Sequence, residues 1–273
     1  MTSFLSLGRA IAASIVAGAP LVICSSAQAG AFNPAAGEGV AILTTRFTDG
    51  RDFIDGAGRR WRAPRWRKFE TQLHVEYGVT DWLAAIARPR VVSIHEDGRK
   101  GFRGGGIGAS EIGLQARLWR AGDWACAARV MARRPAAPGG RFATWEDRGG
   151  VEISFALGRS FTLFGMAAFV DMEVGARTRG GRADEAIASQ TVGIRPTQKL
   201  VLMIQSFTTR SMESPRRRAL RGAPMGEWRI TSQIGLVYEF TPKWSLGVAA
   251  HRTFLVRDGA QESGGSVSLQ RRF

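Results

Sequence analysis

A twelve-stranded antiparallel transmembrane β-barrel preceded by a signal peptide is the fold this sequence predicts, on three observations. The chain ends on an alternating strand closed by an aromatic residue, with Val267, Leu269, Arg271 and Phe273 on one face and Ser266, Ser268, Gln270 and Arg272 on the other. Period-two alternation recurs over segments of ten or more residues, long for a globular strand but matched to a tilted bilayer crossing. The connections alternate between short turns and long loops, as periplasmic turns and outer loops do in outer-membrane barrels.

The N-terminus reads as a removed leader, residues 1–29, ahead of a barrel domain, 30–273. Arg9 is its only charge, Ala10 to Cys24 is apolar, and Ala27-Gln28-Ala29 is a small-x-small cleavage site before Gly30. An uncleaved anchor helix is the rival, since no charge follows until Glu38; Pro20 and the small residues after it argue against a firm helix. Ile23 is too bulky for the position before a lipid-modified Cys24. Once the leader is gone only Cys126 remains, so no internal disulfide is expected.

Strands are expected at about 39–47, 68–77, 82–92, 108–119, 124–133, 149–158, 161–174, 185–195, 200–210, 227–240, 244–256 and 265–273. In the second, Phe69, Thr71, Leu73, Val75 and Tyr77 alternate with Glu70, Gln72, His74 and Glu76. Short turns fall at 78–81, 120–123, Arg159-Ser160, 196–199 and 241–243. A three-residue turn at Arg120-Ala121-Gly122 sets Glu111, Gly113, Gln115 and Arg117 on one face with Arg129 and Met131. A three-residue turn at 241–243 pairs Gln233 with His251 inside. Tyr77, Trp82, Trp119, Trp124, Phe161, Tyr238, Phe240, Trp244 and Phe273 gather beside the short turns, the layout of an interfacial girdle. An even strand count returns both termini to the periplasmic side.

The net charge is +15, nearly all of it from arginine. Export makes nucleic acid an unsuitable partner and leaves anionic lipid or anionic solutes. Loop arginines form two basic groups: Arg59, Arg60, Arg62, Arg65 and Arg67 in loop 48–67, and Arg216, Arg217, Arg218 and Arg221 in loop 211–226. They could grip lipopolysaccharide phosphates, gather anions at the mouth, or be solvated loop charges.

A barrel of twelve strands about 4.7 Å apart and tilted about 40° is roughly 24 Å across, which leaves a lumen on the order of 10 Å if the inward side chains are small. The constriction candidates are Glu70, Arg88, Arg90, Glu111, Arg117, Arg129, Glu152, Glu173, Arg229, Gln233 and His251. Glu70 should lie near Arg88 or Arg90, and Glu111 diagonal to Arg129. One reading is a ladder of satisfied ion pairs. The other sets arginines on one wall against carboxylates on another, producing a transverse field. Small inward residues, among them Gly113, Ala127, Ala156 and Gly165, favour an open core.

Several segments resemble the outer-membrane proteins labelled phenol meta-pathway-like or outer-membrane transporter: Glu76-Tyr77-Gly78-Val79-Thr80-Asp81, Gly104-Gly105-Gly106-Ile107-Gly108 leading into Glu111 to Arg117, Thr191 to Thr197, and Val237 to Leu246. The resemblance implies a passive barrel near catabolic uptake and supplies no catalytic residues.

The resulting expectation is an outer-membrane pore or uptake channel for small, anionic or aromatic, solutes, without cofactor or metal. A non-conducting scaffold that binds lipopolysaccharide or a surface partner is the competitor. Phe273 is expected to engage the barrel assembly machinery. A lipid hydrolase built on Ser93 and His95 is the minor alternative; no Gly-x-Ser-x-Gly elbow exists, and His74, His95 and His251 are too scattered for a metal site.

Overall fold

The computed structural model describes residues 30–97, 102–134, 149–179, 183–212 and 228–273. The expected leader and the group Arg216, Arg217, Arg218 and Arg221 lie outside them. The strands are β1 (Gly39–Ile54), β2 (Arg60–Gly78), β3 (Leu83–Arg88), β4 (Arg90–Glu96), β5 (Phe102–Ile107), β6 (Ser110–Ala121), β7 (Trp124–Arg134), β8 (Gly150–Leu163), β9 (Met166–Arg177), β10 (Glu185–Thr197), β11 (Leu200–Ser211), β12 (Trp228–Glu239), β13 (Trp244–Arg257) and β14 (Gly259–Arg272).

These fourteen strands make twelve staves. Pro89 has no amide to donate, so it divides one stave into β3 and β4, which both pair with β2 on a single register. Gly108-Ala109 divides the next into β5 and β6. Every neighbouring pair is antiparallel, and β1 pairs with both β14 and β2, which closes the sheet into a barrel without free edges.

The outer face is apolar where it must meet lipid: Leu43, Phe69, Leu73, Ile112, Leu114, Ile153, Phe155, Ile204, Ile234, Val248 and Val267 are all exposed. Their inward neighbours are polar or small. At the lower rim Tyr77, Trp82, Trp119, Tyr238, Phe240 and Phe273 are exposed as the girdle requires, and Phe164 extends it from a turn. Two of its tryptophans carry cross-strand arginines, Arg159 at 5.0 Å over Trp124 and Arg271 at 5.5 Å over Trp244.

Three expectations about connections are corrected. The turn placed at Arg159-Ser160 is instead at Phe164-Gly165, both with positive φ (50° and 76°), as a two-residue hairpin turn demands. The Arg120-Ala121-Gly122 loop is a two-residue turn, Gly122-Asp123, between paired Ala121 and Trp124; a bulge after Arg117 absorbs the extra residue and leaves the inward faces as expected. Three outer loops are largely strand; in 93–107, Ser93 to Glu96 belong to β4 and Phe102–Ile107 is β5. In 48–67 only Asp55 to Arg59 lie outside β1 and β2, and in 257–264 only Asp258 interrupts β13 and β14. Hairpins that project beyond the bilayer keep pairing in water, which length matching to the membrane does not reveal.

A plugged lumen as the candidate functional site

Barrel alternation sends every second residue inward, and the inward rows of β2 to β10 are charged. Arg88 faces Glu111 directly across the β3–β6 ladder at 3.1 Å, and Arg133 closes on the same carboxylate at 2.6 Å. Arg88 also donates to His74 at 3.0 Å. Glu70 is shared by Lys68 (3.1 Å) and Arg90 (3.4 Å), Glu152 pairs with Arg177 (2.6 Å), and Glu185 takes Arg177 and Arg179. Glu239 sits between Arg195 and Arg272 at the periplasmic end, and Arg229 meets Glu262 at the outer end. Opposite charges are therefore close neighbours, on the same stave (Lys68–Glu70), on adjacent staves (Arg88–Glu111, Arg133–Glu111, Arg90–Glu70, Arg177–Glu152) or one stave further on (Arg195 and Arg272 with Glu239, Arg229 with Glu262). This is the ladder geometry; the wall-against-wall arrangement is not what the chain adopts.

Arg129 is the most enclosed of these cations, 3% exposed. It donates to Glu173 at 2.8 Å, and through two nitrogens to Gln115 Oε1 at 2.9 and 2.6 Å. Ser154 also donates to Glu173. The expected Glu111–Arg129 diagonal is replaced: Gln115 stands opposite Arg129, and Arg133 stands opposite Glu111.

The inward rows of β11 to β14 differ. Gln233 donates to Gln205 at 2.9 Å, and Gln205 to Thr191 at 3.2 Å. Gln233 faces His251, as expected, and His251 lies 3.3 Å from Thr48. Below this neutral polar layer, Val201, Met203 and Val237 are buried with Phe169 against them. The lumen thus has one charged wall and one neutral wall.

The chain before β1 fills the lower lumen. Residues 30–38 lack strand alternation, and Asn33-Pro34 and Gly37 favour turns. Ala31 is fully buried, and Phe32 packs with it on Ala125, Ala127 and Ala156. The small side chains of β7 and β8 that suggested an open core therefore make room for this plug. Gly165, placed inside from the pattern, is in a turn. Polar groups hold the plug in place. Gln115 Nε2 donates to Gly30 O (2.9 Å) and Asn33 Oδ1 (2.8 Å), while Asn33 Nδ2 donates to the carbonyls of Trp82 and Gln115, both at 3.2 Å. The Ala31 amide donates to Asp171 at 2.8 Å, and Arg117 reaches the Asn33 carbonyl. At the exit, Gly37 and Gly78 exchange backbone bonds across the rim (Gly37 N to Gly78 O, Gly78 N to Glu38 O, both 2.9 Å).

Above the plug lies a cavity of about 360 Å³. Arg46, Glu70, Arg88, Arg129, Glu152 and Arg177 line its charged side, and Ile187, Gln205 and Phe207 its other side. Of the eleven constriction candidates, Glu70, Arg88, Arg129, Glu152 and Glu173 border this cavity. Arg90 and Glu111 pair with its lining, Arg117 touches the plug, Gln233 and His251 stand on the neutral wall, and Arg229 is at the outer rim. Pattern reading passed over Arg46, Arg133, Arg177 and the plug itself. The first three continue the alternation of their strands; the plug left only a negative signal, a stretch without strand period.

The basic residues of the first outer hairpin are partly compensated: Arg59 pairs with Asp55 (2.8 Å), Arg60 with Asp52 (2.5 Å), Arg65 with Asp49 (2.6 Å) and Arg67 with Asp97 (3.1 Å). The geometry at His95 does not favour the hydrolase alternative. Both ring nitrogens of His95 are engaged, Nδ1 by Arg103 at 3.0 Å and Nε2 by Asp97 at 3.0 Å, so His95 has no nitrogen left to activate Ser93. Among the described residues no cluster suits a metal ion.

No protein-family model and no curated protein sequence matches the chain. Solved structures match its fold. An outer membrane channel from Pseudomonas putida F1 is similar over 90% of this chain and 100% of its own, with 14% identity and a TM-score of 0.68. The NanC porin matches over 84% and 98%, with 9% identity and a TM-score of 0.51. The beta domain of the Bordetella autotransporter BrkA matches over 87% and 100%, with 12% identity and a TM-score of 0.51.

Proposed function

The chain is a twelve-stave outer-membrane barrel, and from that premise we propose that it is an uptake channel for small anionic or aromatic solutes. The observation that carries the reading is the cavity. It combines four guanidiniums (Arg46, Arg88, Arg129, Arg177), set among four carboxylates (Glu70, Glu152, Asp171, Glu173), with an accessible aromatic face at Phe207 and an aliphatic one at Ile187. Guanidinium forks match a carboxylate, and an aromatic ring stacks on Phe207 or on a guanidinium plane. The turn motifs that resemble the phenol meta-pathway-like transporters imply a passive uptake barrel. Transport is passive and waits on the plug, which closes the periplasmic side of the cavity.

Planar-bilayer recording tests this. Protein lacking residues 31–36 should carry steady current, and benzoate should interrupt it more than acetate at equal concentration. Phe207→Ala should abolish that difference. Absence of current from the plug-deleted protein would overturn the proposal.

One observation favours lipopolysaccharide as a partner besides. On the outward face, Trp228 stands opposite Arg210 on one side and Arg257 on the other, with Arg257 5.9 Å over its ring. Eleven residues separate Trp228 from Glu239, which sets this row roughly 28 Å above the periplasmic turn. That is the outer edge of a lipid belt about 25 Å tall. Neither arginine has a carboxylate partner among the described residues, so this row suits lipid phosphates better than the compensated first hairpin does. Native mass spectrometry should show lipopolysaccharide retained by the unmodified protein and lost from Arg210→Gln/Arg257→Gln; equal retention would refute it.

A further inference from the structure

Asp171 is a buried carboxylate of the lumen with no guanidinium on it among the described residues. It is 9% exposed, and its one hydrogen-bond donor among the described residues is the Ala31 amide. Glu70, Glu111, Glu152, Glu173, Glu185 and Glu239 each have a guanidinium within 3.5 Å. Arg129 is committed to Glu173 and Gln115. A carboxylate enclosed without a cation is costly, and among the described residues only Glu76, 3.6 Å from His74, shares that position with Asp171.

Gly30 is packed against Asp171. A Cβ built on Gly30 would lie 2.6 Å from Asp171 Oδ2, so no other residue fits at position 30 without displacing the carboxylate. Gly30 is also the residue that follows Ala27-Gln28-Ala29, the small-x-small site. Cleavage there turns the Gly30 nitrogen from an amide with one donor into an ammonium with three donors and a full charge, one bond from the Cα already resting on the carboxylate.

We propose that the α-ammonium of Gly30, released by cleavage after Ala29, pairs with Asp171 and so pins the plug. The leader hydrolysis adds one water across the Ala29–Gly30 bond: the hydroxyl goes to the Ala29 carbonyl carbon, the one remaining hydrogen goes to the departing nitrogen, and the proton shed by the new Ala29 carboxyl turns that amine into the ammonium. The inference rests on the leader reading and is independent of whether the pore conducts.

The test uses protein purified from outer membranes. N-terminal sequencing and intact mass should give Gly30 as the first residue. An amine-reactive ester at neutral pH should label that amine at least tenfold more slowly in the folded barrel than after heat unfolding. Asp171→Asn, which keeps size and shape, should restore fast labelling in the folded state while Lys199 and Lys243 label as before. A different first residue, equally fast labelling of the folded wild type, or a folded Asp171→Asn barrel whose amine stays protected would each overturn the proposal. If Asp171→Asn does not fold, one alanine inserted between Ala29 and Gly30 serves instead: it moves the amine off Asp171 and should raise its labelling at least tenfold, and continued protection would overturn the proposal. Labelling needs no current, so failure here and failure of the channel reading are told apart.

Discussion

Asn33→Ala should open the barrel without unfolding it. Asn33 makes three hydrogen bonds through its side chain: it donates to the Trp82 and Gln115 carbonyls and accepts from Gln115 Nε2. Both carbonyls remain free to turn to water or to stay in the sheet ladder, so the loss is about 1 kcal/mol per bond and about 2–3 kcal/mol in total. At tenfold per 1.4 kcal/mol, the ratio of released to seated plug rises roughly 30- to 100-fold. No barrel strand loses a ladder bond, because Asn33 precedes β1. Single-channel recording in planar bilayers reads the ratio directly as open time over closed time, and the heat-dependent shift on gels reports barrel integrity. An intact barrel with an open-to-closed ratio within threefold of wild type would refute the idea that residues 30–38 close the lumen through these bonds.

Further outcomes follow from the same geometry. Gly78→Ala places a methyl on the Ala35 carbonyl, and should raise open probability with little change in barrel stability, read by the same recording. Arg129→Met leaves Glu173 buried without its cation and Gln115 Oε1 without its donor, so it should cost about 3–5 kcal/mol and lower the urea midpoint of the detergent-solubilised barrel sharply; Arg210→Gln, outside, should leave that midpoint unchanged. Asp55 gives a pH dependence at the tip of the first outer hairpin. The Arg59 amide, and after it the Arg59 side chain and Ala57 amide, hold its carboxyl below the ordinary value. A lowered folded value means that the contribution is complete above the ordinary carboxylate range, declines below it, and is gone once pH has fallen through the lowered value. Protection of the Ala57 and Arg59 amides, measured as exchange relative to the unstructured rate at the same pH, should therefore fall only in acid.

The barrel was legible in the sequence because its physics is periodic. A strand such as Phe69 to Tyr77 has one face for lipid and one for water, and only one register satisfies both neighbours. The same logic placed Glu70 with Arg90 and Gln233 with His251. Where alternation carried no consequence, the reading failed. Arg60 to Arg67 stand in water on both faces, so their strand left no apolar period. The Phe164-Gly165 turn was masked because Phe164 occupies a positive-φ site that glycine or asparagine usually signals. The plug was hidden for a different reason: its contacts are single hydrogen bonds across 82 and 140 residues of chain, and no local pattern encodes them.

What makes a closed but releasable lumen workable is that wall and plug share one side chain. Gln115 is 0% exposed; its oxygen is held by Arg129, and its nitrogen is free to point only at Gly30 and Asn33. Removing the plug leaves that amide nitrogen as an unpaired donor in a charged pocket unless water follows, so a seated plug and an orderly Arg129–Glu173 pair favour one another. Under the proposed channel reading, a solute carboxylate in the cavity would compete for the same guanidinium, which lines it. As Arg129 turns toward the solute, its hold on Gln115 Oε1 weakens, and with it the orientation that aims Nε2 at the plug. The coupling predicts that Gln115→Leu, which keeps bulk and removes both roles, gives a pore whose open fraction no longer responds to benzoate. A response of unchanged size in Gln115→Leu would show that solute and plug communicate by another route.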